Sequence, residues 1–598
     1  MAIGKTSTTR LQTNTSDEFS FWLAAGEKVN PTDIVVTQNR DNSQTYGLVT
    51  RIESLSDSES HLDNFVSHDF GCPQAKPKTQ RLSTNVARCV VLRNTADVYM
   101  PVEGGQDVEF ADEQGILLAL GVGEVQKTDP YFRPLPAGVI ELSNGTQAPA
   151  IIDVRYLVGP EGAHMNISGI SGLAAKTSYA MFLLNALLQS YEEDVAVIIF
   201  NVKHDDLLYI DQADAQAQLD EEQKKLWSVI GAKPQPFAKV SYFVPRGSTG
   251  SPNTHANTSQ MSNFKKYSYS LGDMKGKISY LFADIEDPRD TLRPLIEDIE
   301  QDIVSGSIRA KNFSQLIDHF KQYITSTQSG GSGQRSQKRG SYRGHYPATI
   351  GKFVRLFRYL VQTGSTGLFV DQKATDEVTL AHHIWTIRAG QVYVVDIAKL
   401  RDFERAFVIG DVVNEVYRLF SGEVTYRDVP FSMRREAWQN QNYNDEDPIQ
   451  PPSKIVFFVD ELNKYAPAGK TESPILRNLL EITERGRSLG IVLIGAEQFA
   501  SDIHPRVVGN CSNRVYGRSD STELNDPAYR HIPTDLKALI TRLDQGKLLL
   551  QHPLYRQPVQ IRFPRPVYRQ PRKTVGTSSA GNAAQTVNTG DGNQNGDQ

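Results

Sequence analysis

The pattern of apolar and polar positions changes character near Val154. Between about Glu18 and Leu142, short β-forming stretches such as TYGLVTRI (Thr45–Ile52) and RCVVLRN (Arg88–Asn94) are separated by turn residues. The phrase MPVEGGQDVEFAD (Met100–Asp112) carries the Pro and Gly punctuation found between barrel strands. Residues 1–150 are therefore predicted to form a small N-terminal β-barrel.

Beyond Val154, apolar runs alternate with longer helical stretches. The runs are VAVIIFNVK (Val195–Lys203), KVSYFVP (Lys239–Pro245), ISYLFADI (Ile278–Ile285), QVYVVDI (Gln391–Ile397), KIVFFVDE (Lys454–Glu461) and GIVLIGAEQ (Gly490–Gln498). A strand that is apolar on both faces needs helices above and below it, so these runs predict a large α/β core in two parts, 151–285 and 351–570.

Helical spacing in LRPLIEDIEQDIV (Leu292–Val304) and FSQLIDHFKQYI (Phe313–Ile324) predicts a helical insertion over 286–350. Its second half, STQSGGSGQRSQKRGSYRG (Ser326–Gly344), is too rich in small and basic residues for a continuous core and reads as a mobile loop. Such a loop can touch nucleic acid or serve as a solvated linker. The Gly-, Asn- and Thr-rich stretch Thr574–Gln598 predicts a disordered tail over 571–598.

Composition narrows the class of protein. A chain of 598 residues with 39% hydrophobic content supports two or three packed domains. No run approaches the roughly 20 apolar residues that span a bilayer, and the start MAIGKTSTTRL carries no apolar leader, so a cytoplasmic protein with no membrane partner is expected. Cys72, Cys89 and Cys511 lack the paired spacing of a zinc or disulfide framework. The net charge of -5 argues against a wholly basic nucleic-acid coat but allows a local basic channel.

The strongest chemical signal is HMNISGISGLAAKTSYAMFLLNALL (His164–Leu188), which passes from a short strand through a Gly/Ser turn into an apolar-periodic helix. Lys176 and Thr177 stand where that helix begins, followed by Ser178. Backbone N–H groups at such a point cradle phosphates, the lysine reaches their outer oxygens, and the threonine hydroxyl helps to hold Mg2+. The usual glycine positions of a phosphate loop fall on Ile170 and Ala175, while Gly169 and Gly172 stand nearby. An ordinary tight strand-to-helix connection would look similar.

A second phrase tips the balance. In KIVFFVDELNKYAP (Lys454–Pro467) a hydrophobic strand delivers Asp460 and Glu461 at its end. Asp460 would organise Mg2+ and Glu461 would polarise an attacking water, which joins charge stabilisation to nucleophile activation at one phosphoryl group. A lone DE pair is often a solvated turn; with a phosphate loop and alternating α/β elements it predicts ATP hydrolysis. Downstream, Gln498 at a strand end is a candidate sensor of the terminal phosphate, its alternative being a polar cap. Arg514 leads Arg485 and Arg487 as a candidate to reach a phosphate across a subunit boundary, where an arginine fork stabilises transition-state charge. Each arginine has a structural salt bridge as its alternative.

Together NISGISGLAAKTS, NVKHDDLLYID, FFVDELNKYAP, TERGRSLGIVLIGAEQ and GNCSNRVYGR resemble the HerA branch of the HerA/FtsK P-loop ATPases, over roughly residues 160–565. The preceding segment looks like the HAS-type barrel placed before such a core. The resemblance implies a RecA-like core, ATP and Mg2+ as cofactors, a homohexamer moving along double-stranded DNA, and a partner nuclease or other effector. It maps the phosphate-loop lysine and hydroxyl onto Lys176 and Thr177, the acidic pair onto Asp460 and Glu461, the sensor onto Gln498 and the inter-subunit arginine onto Arg514. DNA contacts would come from Lys352–Val361, Gln334–Arg343 and parts of Lys203–Asp206, and would be salt-sensitive and blind to sequence. Two alternatives stay open: a regulatory ATPase scaffold of antiviral defence that activates a nuclease or NAD-consuming partner without sustained translocation, and a nucleotide-binding structural protein that has lost catalysis.

Overall fold

The computed structural model describes residues 1–76, 82–170, 172, 175–214, 219–283, 285, 287–324, 341–426, 429–430, 450–469 and 473–570. The basic loop expected from Ser326, as far as residue 340, and the tail expected from Thr574 lie outside the described residues.

Six antiparallel strands close the N-terminal barrel: β1 (Gly4–Ser7), β2 (Glu18–Leu23), β3 (Ile34–Gln38), β4 (Gln44–Ser56), β5 (Ser83–Asn94) and β6 (Asp107–Phe110), in the order β1-β2-β5-β4-β3-β6. Alternation sets which side faces in: Phe19, Phe21 and Leu23 of β2 are buried with Val35, Val49, Val91 and Val108, while Glu18 and Trp22 face outward. Closure leaves the sheet without an open edge.

Among the described residues, the remaining strands, apart from one small pair, build a single sheet of 13. They are β7 (Pro134–Glu141), β8 (Gln147–Asp153), β9 (Met165–Ser168), β10 (Val195–Asn201), β11 (Val240–Pro245), β12 (Phe264–Tyr267), β13 (Glu377–Val378) and β14 (Val392–Asp396). After the pair β15 (Thr425–Tyr426) and β16 (Val429–Pro430) come β17 (Lys454–Asp460), β18 (Ile491–Glu497), β19 (Asn513–Tyr516), β20 (Lys547–Gln551) and β21 (Val559–Arg562). The order is β13-β12-β11-β14-β10-β17-β18-β9-β19-β20-β21-β7-β8. Neighbours from β13 to β19 are parallel, and the rest are antiparallel. The mixed α/β core with its large parallel sheet and the closed N-terminal barrel thus stand as the sequence predicts.

Each face of the sheet has its own core, which is why the strands read as unbroken apolar runs. Val456 and Phe458 of β17 pack on the side of the Lys176–Tyr191 helix with Tyr179, Phe182 and Leu183. Ile455, Phe457 and Val459 pack on the other side with Phe407 and Val412 of the Asp402–Phe420 helix. At roughly 1.5–3 kcal/mol for each fully buried large apolar side chain, these two layers are the main source of stability.

Two stretches depart from the expected pattern. Ile278–Phe282 is a 3-10 helix, not a strand. A short apolar run does not by itself separate a buried strand from a buried helical turn, and here Ile278, Leu281 and Phe282 pack beneath the Asp402–Phe420 helix. Also, β7 and most of β8, which begin inside the 1–150 stretch expected to be barrel, hydrogen-bond through β21 into the core sheet. They are an alternating hairpin like the barrel's own, and only the choice of partner distinguishes them.

In the insertion, helices Phe313–Lys321 and Pro347–Arg358 pack through aromatic rings, with Phe320 and Phe353 centroids 5.7 Å apart and Phe313 and Phe357 6.0 Å apart, and helix Leu292–Ser305 adds Leu295, Ile296 and Ile299 to the same core. The third helix runs past residue 350, the expected boundary. Among the described residues no helix is long and apolar enough to cross a membrane.

Burial makes a simple prediction about acid. His164 and His552 lie within the core, and desolvation of the imidazolium lowers each pKa to about 4. Unfolding returns both to an ordinary value near 6.5, so between about 6.5 and 4 these two groups bind more protons in the unfolded chain; His383, also lowered to about 4, adds to them, while the raised carboxyls of Asp396 and Glu497 subtract. The thermal midpoint is therefore expected to fall by several degrees as pH drops through that window, beginning above pH 5 before most carboxylates titrate. Scanning fluorimetry checks this, and a flat midpoint from pH 7 to 5 would contradict it.

Candidate nucleotide site

Parallel strands deliver their C-terminal ends to one edge of a sheet, and open α/β sheets bind ligands there. Along this edge β9 ends at Ser168, β18 at Glu497, β17 at Asp460 and β10 at Asn201. Register places Ser168 beside Glu497 and Asp460 beside Ala496, so β18 is the single strand between the phosphate-loop candidate and the acidic pair.

The turn after β9 uses its glycines where backbone geometry demands them. Gly169 has φ of 147° and Gly172 of 82°, both in the region that favours glycine. Ile170, at a usual glycine position, is anchored by its N–H donating to the Arg518 carbonyl at 2.8 Å. Ala175 does adopt the left-handed conformation, φ 46°, at a cost of about 1–2 kcal/mol relative to a right-handed residue. It is also the N-cap of the Lys176–Tyr191 helix and supplies no side-chain acceptor, so the first-turn amides of Lys176, Thr177 and Ser178 are not capped by it. A strained small residue that leaves a helix N-terminus uncapped is a suitable base for an anion site.

The decisive contact bridges 283 positions of sequence: the Thr177 hydroxyl donates to Asp460 Oδ2 at 3.1 Å. Asp460 Oδ1 accepts the Glu461 N–H at 2.9 Å. Lys176 is buried, and its ammonium donates to the Gly169 carbonyl within its own loop. Burial lowers its pKa; Asp460 opposes that shift and Lys203 adds to it. Glu461 sits in the left-handed region at φ 57°, just beyond β17. Its carboxylate pairs with Lys464 at 2.6 Å and Lys203 at 3.5 Å. Burial alone would raise its pKa, but the two lysines outweigh burial and hold it below the ordinary glutamate value.

The other expected residues fall around this centre. Gln498 follows β18 directly and is exposed at the same edge, and its backbone carbonyl lies 3.2 Å from the Gly169 N–H. Arg514 lies within β19 in register with Asn166, two residues short of the edge; its guanidinium donates to the Val508 carbonyl at 3.3 Å and contacts the His531 ring at 3.2 Å. Arg485 pairs with Glu481 at 3.6 Å and Arg487 donates to the Glu161 carbonyl at 3.4 Å. Both belong to the Pro474–Leu489 helix, which ends where β18 begins, and so lie toward the opposite edge of the same chain.

Two residues outside the expected set join the site. Lys203, two positions past β10, binds Asp460 Oδ2 at 2.9 Å. Glu497 is buried at the end of β18, where desolvation pushes its carboxyl well above the usual range. A usable signal was present in both: each stands at the C-terminal end of an apolar run, the position that singled out Asp460.

The donor set suits a hard divalent cation carried with a nucleotide. It offers hydroxyl and carboxylate oxygen, and the described residues contain no group of three or more His, Cys, Asp or Glu that would hold a metal alone. Magnesium bound through one or two protein oxygens and substrate phosphates has these requirements.

No family model matches the chain, and no curated protein matches it. Among solved structures it is similar to the bacterial conjugative coupling protein TrwBdeltaN70 in its unbound monoclinic form, with 12% identity over 68% of this chain and 86% of that chain and a TM-score of 0.35. The plasmid coupling protein TrwB in complex with ADP and Mg2+ matches at 10% identity, the same coverage and a TM-score of 0.35. The genome packaging NTPase of Sulfolobus turreted icosahedral virus 2, in complex with ATP-gammaS, matches at 15% identity over 31% of this chain and 72% of that one, with a TM-score of 0.21. Similarity at this level carries no functional argument, so the chemistry rests on the geometry of this chain.

Proposed function

We propose that this chain is a Mg2+-dependent ATPase and the subunit of a homohexameric motor that moves along double-stranded DNA. The observation that carries the ATPase reading is the 3.1 Å bond from Thr177, at an uncapped helix N-terminus, to Asp460 at the end of a neighbouring buried strand. That pairing brings the first-turn amides and the Asp460 carboxylate to one edge of one sheet, an arrangement that supports phosphate and metal binding side by side. The motor, the hexamer and a nuclease or other effector partner, with a role in antiviral defence or DNA processing, follow from the sequence resemblance.

Each side chain has a defined task. The amides of Lys176, Thr177 and Ser178, with the turn through Gly169, Gly172 and Ala175, cradle the phosphates. Lys176 exchanges the Gly169 carbonyl for outer phosphate oxygens. Thr177 and Asp460 hold the metal, which when bound draws charge from the transferred phosphoryl group. Glu461 accepts a hydrogen bond from the attacking water and orients it, Gln498 senses the terminal phosphate, and Arg514 of one subunit serves the site of its neighbour.

Lys176→Ala is the direct test. It removes a charged donor worth about 1.5–3 kcal/mol, so ATP affinity is expected to fall by about 10- to 100-fold, and DNA-stimulated phosphate release should fall with it. Fluorescent-nucleotide titration, with native mass measurement of the assembly, checks this. Equal ATP affinity in the wild type and Lys176→Ala would overturn the site. Phosphate release indifferent to duplex DNA but raised by an effector would favour the scaffold alternative.

A further inference from the structure

Asp460 is more crowded than a metal-facing carboxylate needs to be. Its Oδ1 takes the Glu461 N–H at 2.9 Å, and its Oδ2 takes both the Thr177 hydroxyl at 3.1 Å and the Lys203 ammonium at 2.9 Å. The Thr177 bond is compatible with a metal, because a hydroxyl can donate its proton to a carboxylate while its lone pairs face a cation. The Lys203 bond is not compatible in the same way: the ammonium takes up accepting capacity on the oxygen that a hydrated cation, or one of its waters, would use.

Charge makes the conflict sharper. Asp460 and Glu461 carry two negative charges, and Lys203 and Lys464 already balance them at 2.6–3.5 Å. A divalent ion added to this balanced set meets an ammonium a few ångströms away, and like charges at that range disfavour one another even in a well-solvated site. Asp460 itself is 3% exposed and is costly to leave without a cation. Lys203 is the mobile member, because its side chain is 42% exposed and its stem reaches the surface.

We propose that Lys203 is a positioning residue whose ammonium and the divalent cation are alternative occupants of Asp460 Oδ2, so that Lys203 sets the magnesium concentration at which the site loads. In the loaded site Lys203 leaves Asp460 and keeps Glu461, 3.5 Å away in the structure, as its remaining acidic neighbour. This inference rests on the ATP-site reading.

The test uses the full chain and a fluorescent non-hydrolysable ATP analogue, titrated with magnesium at fixed nucleotide. A partly exposed ion pair of this kind corresponds to at most about a fivefold effect, so Lys203→Met is expected to reach half-maximal binding at two- to fivefold lower magnesium than the wild type. Lys203→Arg, which keeps the charge, should retain the wild-type magnesium requirement. A Lys203→Gln chain serves as a second neutral variant, with melting temperature recorded for all three, so that a folding defect in one does not decide the outcome. If both neutral variants fold and need the same or more magnesium than the wild type, the exchange is wrong while the ATP site stands. If the wild type binds no ATP analogue at any magnesium concentration, the site reading and this inference both fall.

Discussion

Glu461→Gln is expected to leave ATP binding within about twofold of the wild type while cutting phosphate release by about 10²- to 10⁴-fold, the usual contribution of a positioned general base. The geometry separates the two effects. Binding draws on the Lys176 helix N-terminus and the Thr177–Asp460 pair, which Gln at 461 does not touch. The Glu461 backbone, which donates to Asp460 Oδ1, is kept, and the left-handed φ of 57° is met by an isosteric side chain. What disappears is an ionised carboxylate. Lys464 and Lys203 outweigh burial and keep Glu461 below its ordinary pKa, so it is charged throughout the neutral range and available to orient water. Steady-state phosphate release and nucleotide titration on one preparation decide the matter. Equal release from Glu461→Gln and the wild type would remove Glu461 from the mechanism.

The largest stability effect is expected from Lys277→Met. Lys277 stands directly before the Ile278–Phe282 turn and is 5% exposed; its ammonium contacts Asp411 and lies 2.5 Å from Glu415. Both carboxylates lie on the Asp402–Phe420 helix and are almost fully buried. Tyr269 donates to Asp411 at 2.7 Å and the Trp385 indole N–H to Glu415 at 2.7 Å, so the network ties three separate segments to one helix. Burial raises the Asp411 pKa, and Lys277 is the main charge opposing that. Removing the lysine leaves a buried carboxylate pair without its central cation, a change that costs about 3–5 kcal/mol when one partner of a buried ion pair is lost. The variant should melt well below the wild type and give less soluble protein. Adding Asp411→Asn should recover part of the loss, because it removes the uncompensated charge. A Lys277→Met melting point equal to the wild type would show that the network does not hold this face of the core.

Several elements were legible from local pattern alone. Phe19, Phe21 and Leu23 alternate with polar neighbours and so mark a half-buried strand, while Val195–Asn201 and Lys454–Asp460 are apolar on both faces and so mark strands covered by helices. Gly169 and Gly172 followed by Lys176–Thr177 marked a turn into a helix, and the acids after β17 marked a strand end. Other features had no local signature. Ile278–Phe282 and a buried strand share the same composition, and the Pro134–Asp153 hairpin reads the same whether it joins the barrel or the core sheet.

The chain's periodicities decided which segments are strands and helices, because burial on one face or two leaves its mark at every second or every third to fourth residue. The neighbours of each strand were decided only in three dimensions. Asp460 meets Thr177 across β18 and meets Lys203 across the β10–β17 ladder, contacts spanning 283 and 257 positions. Strand order in a parallel sheet is set by the packing of crossover helices against both faces, a many-body balance of buried surface that no short window of sequence contains. That is why strand-end position could single out the acidic pair and left a signal at Lys203 as well, while the sharing of one Asp460 oxygen between Thr177 and Lys203 became visible only with the fold.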